Sequence, residues 1–170
     1  MDKRTTASGA MALVLFVVCT VHGVCQDSTT AGRLGISASL QSSQVDILLP
    51  LRVGASFSVA PALGFLWAEN GGSDIRLGVV PRYYFRHDNV QPFVDARIDA
   101  LINVPESGSR TTDWLVGVGG GGEYYLDAHF SLGVEAQLNL SISDANSPRF
   151  GDPGKKTLNT AASVFASFYF

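Results

Sequence analysis

After Gln26 apolar side chains fall on every second residue, and no stretch repeats them at the helical interval. Period two marks a strand with two unlike faces, because successive side chains leave a pleated backbone on opposite sides. Eight such segments can be read: Leu34–Gln41, Val45–Val53, Phe57–Trp67, Ile75–Arg86, Phe93–Asn103, Trp114–Leu126, Ser131–Ile142 and Leu158–Phe170. Gly54-Ala55-Ser56, His87 to Asn89 and Asp127 to His129 read as tight turns. Asn70 to Asp74, Pro105 to Asp113 and Ser143 to Thr157 read as longer connections rich in Gly, Pro, Ser and Asp, with a short one at Ser42 to Gln44. An even strand number, with tight turns at one end and longer loops at the other, predicts an all-β, eight-stranded antiparallel up-and-down barrel.

Which face of the alternation looks outward separates two kinds of barrel. In a soluble ligand-binding barrel the apolar face points in; in a transmembrane barrel it points at lipid. Only 16% of the residues are charged, which is low for a globular domain (about 25%). On the polar face Arg52, Arg76, Arg82, Arg86 and Arg97 oppose Asp46, Asp95, Asp99, Glu123 and Glu135, five against five. Buried charges must be paired and hydrogen-bonded, and an eight-stranded barrel has an interior that side chains can fill. Together these residues predict a self-neutralising charge network in the lumen, with Phe93, Leu101, Tyr125 and Phe165 also pointing in. On the apolar face Trp67 and Trp114 fall at the loop end. Phe57, Tyr83, Phe85, Tyr124, Phe168 and Phe170 fall at the turn end. Two aromatic girdles around an aliphatic band match a bilayer with its two interfaces. The expectation is a transmembrane barrel.

The N-terminus reads as an address. Asp2-Lys3-Arg4 is charged, Ala10 to Cys19 is an unbroken run of ten apolar residues, and Gly23, Cys25 and Gln26 offer small-residue cleavage geometry. A charged start, a short apolar core and a cleavage site describe a secretory signal peptide; a membrane anchor helix needs about 20 apolar residues. We therefore expect a signal peptide over 1–25, a short linker over 26–32 and the barrel over 33–170. Lipidation of Cys25 is the alternative fate of the leader, disfavoured by Val24 before the cysteine. Both cysteines, Cys19 and Cys25, fall within the leader, which leaves the barrel without thiols for a disulfide or a metal. A net charge of −3 and the absence of a basic patch argue against nucleic acid as a partner.

Several segments carry a family resemblance. Pro81-Arg82-Tyr83-Tyr84-Phe85, Gly121-Gly122-Glu123-Tyr124-Tyr125, Ser131 to Asn139 and the ending Ser167-Phe168-Tyr169-Phe170 resemble the small outer-membrane β-barrel family of Gram-negative-type bacteria, relatives of outer membrane proteins A, X and W. The resemblance spans Arg33 to Phe170. It implies export through the periplasm, residence in the cell outer membrane among its lipids, and insertion by the barrel assembly machinery. In the family that machinery reads a C-terminal aromatic signal, carried here by Val164, Phe168 and Phe170. The usual glycine of that signal is replaced by Ala and Ser between Ala161 and Ala166.

No enzyme, cofactor or metal site is expected. Gly117 to Gly122 matches a dinucleotide-binding pattern in letters, but that loop must leave a strand and open a helix, whereas this one runs on into Glu123-Tyr124-Tyr125. Its glycines read instead as relief for a narrow barrel interior. After the leader, the histidines His87 and His129 fall in turns at the end opposite the longer loops, where an acyl-transfer triad would be needed. Asp95 and Asp99 flank Arg97 on one face and read as its charge partners rather than as an acid/base pair. The leading expectation is a structural or surface-interaction protein with a plugged lumen, its longer loops outside and able to meet an extracellular ligand. Transport of small molecules, hydrophobic ones included, is the alternative, and a secreted soluble ligand-binding barrel the third reading.

Overall fold

The computed structural model describes residues 34–41, 44–68, 72–86, 88–105, 108–147, 149–150 and 153–170, without the side chains of Gln44, Trp67 and Ala68. The expected leader and linker, His87 and the indole of Trp67 lie outside the described residues. Nine strands are found among these: β1 (Gly35–Gln41), β2 (Gln44–Leu48), β3 (Leu51–Arg52), β4 (Phe57–Ala68), β5 (Gly72–Tyr84), β6 (Val90–Val104), β7 (Thr111–Tyr125), β8 (Phe130–Ile142) and β9 (Lys156–Tyr169). Pairing is antiparallel throughout, and β9 returns to β1 with Ala38 opposite Ala166, so the sheet closes on itself.

The strand expected over Val45–Val53 is present in two pieces. β2 and β3 pair with β4 in one register, Leu48 opposite Ala62 and Leu51 opposite Val59. The break falls at Pro50, which has no N–H to give to the ladder. Leu49 N still donates to the Pro61 carbonyl at 2.9 Å, and Gly35 N to the Pro50 carbonyl at 2.8 Å. Physically this is one strand with a missing rung, and the barrel is eight-stranded.

Closure settles the inside/outside question. Along β6, Gln91, Phe93, Asp95, Arg97, Asp99 and Leu101 are buried, while Val94 and Ile98 are 45% and 50% exposed. Twenty-one polar or charged residues are buried against nine apolar ones among the described residues. That ratio is inverted for a soluble domain, whose interior is mostly Ile, Val, Leu and Phe. The outer wall is a continuous apolar surface, far larger than the few hundred Å² that soluble monomers expose. The buried apolar clusters are small: Ala60, Ala62 and Val80 in one, Tyr84, Phe93 and Phe165 in the other.

The strands also run further than their apolar pattern suggested. The connection expected at Asn70–Asp74 shrinks, because β5 begins at Gly72. That expected at Pro105–Asp113 loses its last three residues to β7, and β9 begins at Lys156. In each case polar residues carry the ladder onward, since an inward-facing Asp or Asn in a polar lumen finds partners there. Asn103 Nδ2 donates to Asp74 Oδ1 at 2.7 Å. Only the β8–β9 connection, 143–155, remains long.

Candidate functional site in the barrel interior

The inward-facing side chains form three tiers. At the short-turn end Arg52 lies under three tyrosine rings, 5.0 Å from the centroid of Tyr84, 5.3 Å from Tyr125 and 5.2 Å from Tyr169. A guanidinium over aromatic faces is held by their quadrupoles. It also donates to the Tyr125 hydroxyl and, at 3.3 Å, to Gln91 Oε1. Glu123, fully buried, accepts from the hydroxyls of Tyr84 (2.7 Å), Tyr169 (2.9 Å) and Ser131 (2.5 Å).

In the middle tier guanidinium and carboxylate groups interleave. Arg82 reaches Asp95 at 3.2 Å, Glu135 at 3.0 Å and Glu123 at 3.8 Å. Its guanidinium carbon lies 3.8 Å from the ring centroid of Phe93 and 4.7 Å from that of Phe165. Arg97 pairs with Glu135; Arg76 pairs with Asp46 and, at 2.6 Å, with Asp99. Glycines make room for this packing. A methyl group on Gly78, Gly117, Gly119 or Gly133 would collide with Asp99, Asn139, Asp95 or Phe165 respectively. Beside the network, between Ser37, Ser58, Ser167, Ala60 and Ala62, a cavity of about 30 Å³ remains, room for a water or two.

The third tier lies at the loop end and was not foreseen. Asp113, fully buried, accepts from Asp144 N and from Ser147 Oγ, each at 2.7 Å, and lies 3.3 Å from Arg149 Nε. Arg149 also bonds Asp74 at 2.5 Å. The β8–β9 loop is thereby tied across the mouth to the ends of β5 and β7. Below it opens a chamber of about 350 Å³, bordered on its inner side by the Arg76–Asp46 pair. The sequence did hold a signal for Asp113: it is in phase with the inward-facing Leu115 and Gly117, one residue before the point where the apolar pattern of β7 begins.

The ten residues expected in the charge network divide as follows. Asp46, Arg52, Arg76, Arg82, Asp95, Arg97, Asp99, Glu123 and Glu135 all point inward; eight of them carry the ion pairs above, and Arg52 is held by tyrosines and Gln91. Arg86 does not belong with them. β5 ends at Tyr84, so Arg86 lies in the turn, where alternation no longer sets direction, and is exposed. The expectation that Arg97 partners Asp95 and Asp99 also fails. Residues two apart on one strand are about 7 Å apart, and the closer partners come from other strands: Arg82, directly opposite Asp95 on the neighbouring β5, Arg76, also on β5, for Asp99, and Glu135 of β8 for Arg97. Of the expected girdles, Trp114, Phe57, Tyr83, Phe85, Tyr124, Phe168 and Phe170 are exposed on the outer wall. Val164 faces outward as well, 53% exposed. At the turn end Asp127 Oδ1 accepts from His129 N and Phe130 N, each at 2.7 Å, which holds its carboxyl below the usual range. His129 in turn bonds the Tyr169 carbonyl through Nδ1 at 2.9 Å.

An antiparallel barrel of eight strands, with an apolar outer wall and a polar, ion-paired interior, has the fold of the small outer-membrane barrels. Two solved structures bear this out. The N-terminal β-barrel domain of Pseudomonas aeruginosa OprF superposes with a TM-score of 0.54 at 15% identity, covering 81% of this chain and 95% of that one. Neisserial surface protein A (NspA) gives 0.51 at 16% identity, covering 81% and 93%. No protein-family model matches the chain, and no curated protein sequence does.

Proposed function

We propose that this chain is an integral outer-membrane barrel with a structural or surface-interaction role, its lumen closed by the middle tier and its β8–β9 loop facing outside. The supporting observation is a pair of ion-paired clusters side by side in the lumen, Asp46–Arg76–Asp99 and Arg97–Glu135–Arg82–Asp95. Buried charges of both signs with no large void between them make a plug rather than a pore. The apolar wall and the fold shared with OprF and NspA support residence in the outer membrane. On this reading residues 1–25 are a leader removed on export, and Val164, Phe168 and Phe170 present the signal read by the assembly machinery.

The test has two parts. Expressed with its leader in a Gram-negative host, the protein should fractionate with outer membranes and migrate differently on gels before and after boiling. Reconstituted in planar bilayers, it should show no steady conductance. Transport has one specific observation in its favour: the chamber and the small inner cavity both touch Asp46 and Arg76, so a single ion pair separates them. Stable, porin-sized openings would replace the plugged reading with that one. Release of the protein into the periplasm without detergent would remove the membrane reading altogether.

A further inference from the structure

The barrel wall is complete at the turn end but not at the loop end. β9 pairs with β8 along its whole length, up to Lys156 opposite Ile142, but with β1 only as far as Val164 opposite Leu40. The β1–β2 hairpin closes at Gln41 and Gln44, so the upper part of β9, Lys156 to Thr160, has no strand on that side among the described residues. In an antiparallel ladder the N–H and C=O of one residue point to the same side, and the side alternates along the strand. Ser143 N donates to the Lys155 carbonyl at 3.0 Å and Tyr169 N to that of His129 at 2.7 Å, so the odd residues of β9 face β8. Phe170 N donates to the Leu34 carbonyl at 2.8 Å, so the even ones face β1. Above the hairpin the N–H and C=O groups of Leu158 and Thr160 therefore point away from β8 with no strand to meet among the described residues. Burial agrees. Thr157, Asn159 and Ala161 face the lumen yet are only half-buried, while Ser141, Asn139 and Gln137 directly opposite on β8 are buried. Leu158, on the outer face, is 65% exposed.

We propose that the upper edge of β9 docks an extended segment of an extracellular partner protein, added as a strand antiparallel to β9 and in line with β1. Water can hydrate such backbone groups one by one; only another extended backbone meets them in a row, which is how an exposed edge templates strand addition. Space allows it. Lower down β1 and β2 lie between β9 and β4, so above their turn a gap two strands wide remains, about 14 Å at three strand spacings. Facing fixes the pattern of the segment. Residues opposite Leu158 and Thr160 share the outer face and are apolar, while those opposite Thr157 and Asn159 face the chamber and are polar. At the outer end the residue opposite Lys156, which is exposed on the same face, is acidic. A second copy in the same membrane cannot supply the segment, because its β9 runs in the same sense as this one.

The partner is met outside the cell only if the loop end faces outward, so the docking site rests on that reading. The test uses the whole mature chain refolded in detergent micelles, with the gel shift on boiling as proof of folding. In the free protein, hydrogen exchange followed by NMR should be faster at Leu158 and Thr160 than at Asn159 and Ala161, whose N–H groups face β8. Equal protection at all four would mean that the edge is already covered, and it overturns the site. The probe is the peptide acetyl-Ser-Val-Thr-Val-Thr-Glu-amide, whose valines fall opposite Thr160 and Leu158. It should bind saturably, in the high micromolar to millimolar range, and slow exchange at those two amides. N-methylation of both valines should abolish binding, since it removes their N–H donors and leaves the side chains in place. Thr160→Pro should abolish it too and keep the fold, because the lost N–H faces the gap rather than β8. Lys156→Glu, at the exposed end of the strand, serves should the proline variant fail to fold. It should weaken the peptide about fivefold or more and favour the same peptide ending in Lys, a reversal that a merely loosened strand would not give. A heat-modifiable protein that ignores the peptide, or binds its N-methylated form equally well, overturns the docking site and leaves the outer-membrane reading standing. A chain that gives no heat-modifiable form in micelles or vesicles overturns the membrane reading first, and this inference with it.

Discussion

The two halves of the barrel interior solve the same problem in opposite ways. Toward the short turns the lumen is filled by large groups. Tyr84, Tyr125, Tyr169, Phe93 and Phe165 interlock, with Phe93 and Phe165 centroids 6.0 Å apart and Tyr125 stacked on Tyr169 at 5.8 Å. Arg52 and Arg82 lie over these rings and Glu123 is enclosed by hydroxyls, so charge and packing are satisfied by the same side chains. Toward the loops the inward residues are Asp74 and Asp113 with amides, hydroxyls and two leucines, and a chamber is left. There a loop supplies the closure, held by partly exposed charges on Arg149 and Asp74. One half is packed solid by its own side chains; the other keeps a chamber under a loop.

Substitutions can break that contrast, and the largest effect should come from Arg82. Arg82→Met strands the buried Asp95 and takes one partner from Glu135 and Glu123, which keep Arg97 and the surrounding hydroxyls respectively; removing one partner of a buried pair costs about 3–5 kcal/mol. Adding Asp95→Asn to that variant should recover part of the loss, because one uncompensated charge is gone. Urea unfolding in lipid vesicles, followed by the gel shift, measures both. An Arg82→Met variant as stable as the parent would show that the network holds no stability.

On the wall between the two halves, Ile98→Arg should cost about 2–4 kcal/mol, the penalty for a cation facing lipid near the midplane. Ile98 is half exposed on the outer surface, so no change inside the lumen should rescue it. If the substitution proved neutral in vesicles, the apolar face would not be meeting lipid. In the packed half, Gly133→Ala adds a methyl where the Phe165 ring lies, an overpacking change of about 1–3 kcal/mol. The same vesicle unfolding curves report it, and Gly122→Ala is the matched control, since nothing lies within 4 Å of that position on the outer wall.

The loop half should respond more weakly. Arg149→Ala removes the pair with Asp74, whose side chains are 21% and 27% exposed and which as a screened pair contributes about 1 kcal/mol or less, and a contact to the buried Asp113, which keeps its hydrogen bonds from Asp144 N and Ser147 Oγ. Its signature should be local: faster hydrogen exchange at Asp144 and Ser147 with little change in global unfolding. Global destabilisation as large as that of Arg82→Met would abolish the contrast between the halves. Smallest of all is the turn at Asp127. Its folded carboxyl is held low by the N–H groups of His129 and Phe130, so the charged form stabilises the turn above the ordinary carboxylate range. That contribution is lost as pH falls through the lowered value. NMR titration of the turn amides should show the step, and Asp127→Asn should abolish it.

The sequence by itself determined the strands and the facing of nearly every residue within them. A strand's period of two is local backbone geometry, and each segment displays it without help from its neighbours. The wide polar/apolar contrast then fixes which set enters the lumen once the barrel closes, which is why nine of the ten residues expected inside are there. What the sequence did not carry was who meets whom. Arg82 finds Glu135 across 53 residues and Arg52 finds Tyr125 across 73, through the relative shift of strands that share no local signal. Arg86 left the network because its strand ended two residues earlier, a boundary decided by where the turn to β6 closes. Asp113 and Arg149 became partners only when the β8–β9 loop folded across the mouth. Facing is a property of one strand; pairing is a property of the closed barrel, and only the tertiary structure could decide it.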